Sequence, residues 1–137
     1  MELTVSTIES CWPGGQAYYD ADLIRKDIVS IIEKHRGTIS AVFCADEMMG
    51  ILAIQACNRL GIHVPAELSV MGYSTSRLSQ CCDPKLTTVS QPHFEMGYQA
   101  ALSLVEALRK DGSGMVDRGG ELKLPTQIFP GASVARV

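Results

Sequence analysis

The chain has 137 residues, of which 46% are hydrophobic and 20% charged, and carries a net charge of −3. A chain of that size makes one domain that buries roughly two-thirds of its unfolded surface, and its composition excludes intrinsic disorder. Without a cluster of Lys and Arg there is no footprint for a phosphate backbone, and no apolar run approaches the ~20 residues of a membrane span.

The opening "MELTVSTIES" lacks the basic-then-apolar order of a signal peptide. Five cysteines, an odd number, are scattered apart from the vicinal pair Cys81 and Cys82, which points to a reduced, cytoplasmic protein. In chain order, "ELTVSTIE" (2–9) reads as a strand that "SCWPGGQ" breaks. From Asp20, Leu23, Ile24, Ile28, Ile31 and Ile32 recur at helical spacing, with Gly37 as the stop. "ISAVFCA" (39–45) is a short apolar run suited to a strand covered on both faces. Two carboxylates, Asp46 and Glu47, follow it, and "EMMGILAIQACNRLG" then reads as a helix with Asp46 as N-cap and Gly61 as its end. Another buried strand covers Leu68–Met71, "LTTVSQP" (86–92) is extended, and a helix runs over 92–110 with Phe94, Gly97, Ala101, Leu104, Val105 and Leu108 on one stripe. "KDGSGMVDRGG" is a loop, and "ELKLPTQIF" a last strand.

The order β-α-β-α-β-β-α-β implies an α/β fold of three layers, a mostly parallel sheet with helices on both faces. In such sheets ligands bind outside the carboxyl ends of the strands. Three of those ends are "SCW", "CADE" and "GYSTS", which bring Trp12, Asp46 and Ser74 to a common edge.

The segment "ISAVFCADEMMGILAIQACNRLGIHVPAELSVMGYS" resembles the lactose-repressor (LacI-type) family of sugar- and nucleobase-responsive transcription regulators, with its Asn-Asp pair, helix and Val-Pro…Ser-Val-x-Gly-Phe-Asp run. "DPKLTTVSQPHFEMGYQAALSLV" is similar to the family's crossover and helix, and "LKLPTQIF" to its closing strand. The resemblance implies the C-terminal part of a two-lobed, periplasmic-binding-protein-like effector-binding domain, an incomplete lobe, with a small sugar or nucleobase in the interlobe cleft. Residues 1–137 would then be that portion, with about 90–123 crossing to the other lobe. DNA would be reached only through a helix-turn-helix absent from this chain. The helix at 92–110 would expose apolar surface that pairs in a homodimer. The alternative is the sugar-binding protein of a transport system.

Carried over residue by residue, the family's ligand-contacting Asn falls on Asp46 and its neighbouring Asp on Glu47. Its Gly-Phe-Asp ligand falls on Ser74, its stacking aromatic near Trp12, and Gln91 lies where the chain crosses between lobes. Asp46 and Ser74 depart from the family's residue types, as do Leu52, where the family has Gly, and Gly131, where it has Arg. A carboxylate at 46 would accept charge-assisted hydrogen bonds from sugar hydroxyls, and an indole face at 12 would stack on a ring. Glu47, one residue into the helix, reads as a surface acid favouring the helix dipole. His35, His63 and His93 are tied to no carboxylate by spacing, and no Cys-x-x-Cys is present, so neither catalysis, a metal nor a cofactor is indicated.

Overall fold

The computed structural model describes residues 21–111 and 121–135. The strand read at 2–9, Trp12 and most of the loop read at 110–120 lie outside the described residues. Helix α1 (Ala21–Lys34) is followed by β1 (Ala41–Cys44), α2 (Glu47–Leu60) and β2 (Ser69–Tyr73). A single 3-10 turn at Leu78–Gln80 leads to β3 (Thr87–Ser90), α3 (His93–Asp111) and β4 (Gln127–Phe129). The four strands form one sheet in the order β1-β2-β3-β4. The first three are parallel and β4 runs antiparallel to β3. This is the mostly parallel α/β sheet that the alternation of strands and helices implies.

Local sequence determines the helix that matters most. Asp46 sits at φ −144°, ψ 173°, and its Oδ1 accepts the Met49 amide at 2.7 Å, so one unpaired donor of the first turn is satisfied. At the other end Gly61 adopts φ 65°, a left-handed cap that glycine reaches without a Cβ clash. Between the caps Leu52, Ala53, Ile54, Ala56 and Cys57 are buried, and all of these but Leu52 meet Ile32 of α1, Cys44 of β1, Val70 of β2 and Leu86 in one core. Ile24 and Ile32 of the α1 stripe are buried as their spacing requires.

Two strand expectations need correction. The run at 39–45 is not covered on both faces: Val42 and Cys44 turn to the core, while Ala41 is exposed and Phe43 is 61% exposed. An apolar run reports β propensity but not which face a neighbour covers. The closing strand is three residues long rather than nine, because Pro125 has no amide to give to a ladder.

The chain returns after β4 to stitch the sheet. Ser133, fully buried, accepts the Thr87 amide at 2.8 Å and donates to the Val70 carbonyl at 2.6 Å, tying β3 to β2. Gly131 makes this return possible: a Cβ there would lie 2.3 Å from the Lys85 carbonyl oxygen. Backbone cannot yield as a side chain does, so Gly131→Ala is expected to lower the stability by about 1–3 kcal/mol. Urea denaturation followed by circular dichroism checks this; an unchanged midpoint would mean that the tail is not seated against Lys85.

Candidate functional site at the carboxyl edge of the sheet

Because β1, β2 and β3 are parallel, their carboxyl ends leave the sheet along one edge. Cys44 pairs with Gly72, and Gly72 with Thr88. Asp46 and Ser74 therefore stand two residues beyond a shared rung, and Gln91 three residues beyond it, just past the end of β3. The absence of a side chain at Gly72 lets α2 begin so close to β2: a Cβ there would stand 3.3 Å from the Asp46 carbonyl oxygen and 3.0 Å from the Leu86 Cδ2.

Each of these residues is held by its neighbours. Ser74 has φ 68°, a left-handed conformation that a non-glycine residue occupies at a cost of roughly 1–2 kcal/mol. Its Oγ lies 3.3 Å from Nε2 of His93, the first residue of α3. The Gln91 amide donates to the Tyr73 hydroxyl at 2.9 Å. Below them the Thr75 and Thr88 hydroxyls share a hydrogen bond of 2.6 Å. Asp46, Ser74 and Gln91 are thus brought to one edge, and Trp12 lies outside the described residues. His93 is a member of this edge that its helix-start position alone does not announce.

Glu47 differs from the sequence reading. It is not a surface acid but buried, 9% exposed. Its Oε1 accepts the Ser76 amide at 2.8 Å and the Ser79 amide at 2.9 Å, and its Oε2 accepts the Ser76 hydroxyl. Burial raises the carboxyl's proton affinity, but the hydrogen bonds from Ser76 and Ser79 outweigh it and hold the group below its ordinary value. Cys44, one strand-end away, is the opposite case: burial first, then the charges of Asp46 and Cys57, push its thiol up to about 12. It remains a protonated core residue and no nucleophile.

The rest of the polar chemistry lies elsewhere. His63 does have a carboxylate, since Glu67 Oε2 lies 2.6 Å from its Nδ1, but the pair sits at the amino end of β2. A shallow groove lined by Ile32, Arg36, Ile39, Ile62 and Leu68 opens at that same far end. Among the described residues no three His, Cys, Asp or Glu side chains group as they would around a metal ion. Nor is any described helix long and apolar enough to cross a membrane.

Residues 4–134 match a family described as a periplasmic binding protein-like domain. The chain belongs to that family. Among the proteins it is similar to are transcriptional regulators. It is 37% identical over 95 residues to the HTH-type transcriptional repressor CytR of Escherichia coli K12, a match covering 63% of this chain and 28% of CytR. A solved complex of the transcriptional regulator CelR with cellobiose superposes with a TM-score of 0.71 at 26% identity, covering 84% of this chain and 34% of that one. A LacI family regulator of Enterococcus faecalis V583 with bound ribose, 21% identical, shares the fold with a TM-score of 0.68 over 82% of this chain and 41% of its own. The chain spans well under half the length of the relatives it matches. The structure also accounts for one departure from the LacI-type pattern: position 131 has no room for a side chain, let alone an arginine.

The state of Glu47 has a consequence for acid stability. A carboxyl held below its unfolded value, ~4.3, stabilises the fold fully above that pH and ceases to do so as the pH falls through its lower folded value. Wild-type protein is therefore expected to lose stability below about pH 4. In Glu47→Gln that segment of the stability–pH curve should be flatter, as read by urea midpoints across pH 3–6. Parallel curves for the two proteins would show that Glu47 is solvated.

Proposed function

We propose that this chain is the C-terminal part of the effector-sensing module of a LacI-type transcriptional regulator. In this reading Asp46, Ser74 and Gln91 contact a small sugar-like or nucleobase effector in an interlobe cleft, and Trp12 stacks on its ring. One observation carries the reading: an acid, a strained serine and an amide stand together where adjacent parallel strands end, the place at which open α/β sheets take ligands. Backbone strain held by its surroundings collects at such sites. The likeness to a repressor and to regulators bound to cellobiose and ribose supports it.

The work is binding, with no bond made or broken. The effector favours one arrangement of the two lobes, and only its differential affinity for the two arrangements shifts their populations. Residues of about 90–123 cross to the other lobe. The exposed apolar face of α3, which runs from Phe94, 85% exposed, to Leu104, Val105 and Leu108, pairs in a homodimer. DNA is reached through an N-terminal helix-turn-helix of the regulator, in the cytoplasm.

Titration calorimetry of the full-length protein with ribose, cellobiose and nucleosides tests the assignment. Binding of at least one is expected. Ser74→Gly should weaken it about tenfold, the worth of one hydrogen bond near 1.4 kcal/mol, without lowering the unfolding midpoint, since glycine relieves the φ of 68°. Asp46→Asn retains the helix cap, so affinity lost in that variant reports the charge alone. Folded protein that binds no member of the panel would contradict the reading.

A further inference from the structure

Residues 74–80 form the loop that carries Ser74 away from β2. Ser76, Arg77 and Leu78 in it are exposed, Leu78 at 52%, and only Ser79 is buried. Little apolar burial therefore holds this loop in place. Polar contacts tie it instead: Thr75 to the Thr88 hydroxyl, Ser74 to His93, and the Leu86 amide to the Ser79 carbonyl. The most bonds come from one carboxylate at the start of α2, which takes the amides of both Ser76 and Ser79 and the Ser76 hydroxyl across a gap of 29 residues from Glu47 to Ser76. The neighbouring residue, Asp46, caps α2 itself. Of these two consecutive acids, Asp46 fixes the start of α2 and Glu47 fastens the loop to it.

Ser74 lies two residues before this clamp and holds a left-handed φ of 68°. Such a conformation persists only where the surroundings over-determine it. Hydrogen bonds to an ionised acceptor are about twice as strong as neutral ones, and a multiply bonded carboxylate fixes direction as well as distance.

We propose that Glu47 is the positioning residue of the carboxyl edge: its grip on Ser76 and Ser79 imposes the strained conformation of Ser74 and so fixes the spacing between Ser74 and Asp46. In its bearing on effector binding this rests on the function proposed above. Glu47 itself, occupied by the loop, does not touch the effector. The clamp makes the Ser74 hydroxyl a rigid contact rather than a mobile one, and its loss reaches the effector only through Ser74.

The test is a double-mutant cycle on the full chain that needs no effector. Urea midpoints are measured for wild type, Ser74→Gly, Glu47→Gln and the double variant at pH 7. Relief of strain makes Ser74→Gly favourable in the wild type, and in the Glu47→Gln background, where Ser74 has already relaxed, that gain should shrink or vanish. Trypsin cleavage after Arg77 should quicken at least tenfold in Glu47→Gln. With an effector probe from the panel, Glu47→Gln should weaken binding about tenfold, and adding Ser74→Gly should weaken it little further. Additive midpoints with unchanged cleavage would overturn the proposal. If Glu47→Gln does not fold, Ser76→Ala takes its place and should shift the same readouts in the same direction by less. Wild type that binds no probe would overturn the effector reading alone, because the cycle and the cleavage rate decide the clamp by themselves.

Discussion

The close seating of α2 on β2 governs this molecule. Gly72 favours it, since a Cβ there would stand 3.3 Å from the Asp46 carbonyl oxygen and 3.0 Å from the end of the Leu86 side chain, contacts tight enough that a neighbour would have to give. With the helix that near, the residues at its start are forced to the strand ends. Asp46 becomes both cap and edge residue, and Glu47 is carried under the loop that follows β2. The hydrophobic core below, from Ile54 and Val70 to Leu86, is the ordinary consequence of an apolar helix face on a half-covered sheet.

The same seating divides the polar groups by role. A carboxyl with backbone amides aimed at it remains ionised despite burial, whereas the Cys44 thiol beside it, with burial and the Asp46 charge against ionisation, does not. Charge therefore concentrates at the strand ends, at Asp46 and Glu47, and the interior between them and α1 stays apolar. The opposite edge carries the His63 and Glu67 pair in solvent, where an ion pair contributes little to stability.

How much of this the chain discloses depends on the range of each interaction. The α2 helix and both its caps are legible, since a cap involves residues three or four apart. The parallel pairing of β1 with β2 is legible from the helix between them, whereas that of β2 with β3, which no α-helix separates, is not. The LacI-type resemblance in the segments around Asp46, Pro65 and Thr87 brings out the family. The burial of Glu47 is not legible, because its partners lie 29 and 32 residues away and neither serine is unusual where it stands. The strain at Ser74 is equally hidden: serine is common in turns, and nothing local marks a positive φ. Gly131 reads as a missing arginine until the Lys85 backbone is seen against it. Phe43 reads as core because an apolar run does not reveal that one of its faces is left open.

The most direct measurement is a crystal structure of the full-length protein grown with whichever sugar or nucleoside it binds in solution. Ligand density is expected against the Asp46 carboxylate, the Ser74 hydroxyl and the Gln91 amide, with Ser74 still left-handed and the Ser76 and Ser79 amides still on Glu47. Density instead in the groove between Ile32, Arg36 and Leu68, with the carboxyl edge empty, would contradict it.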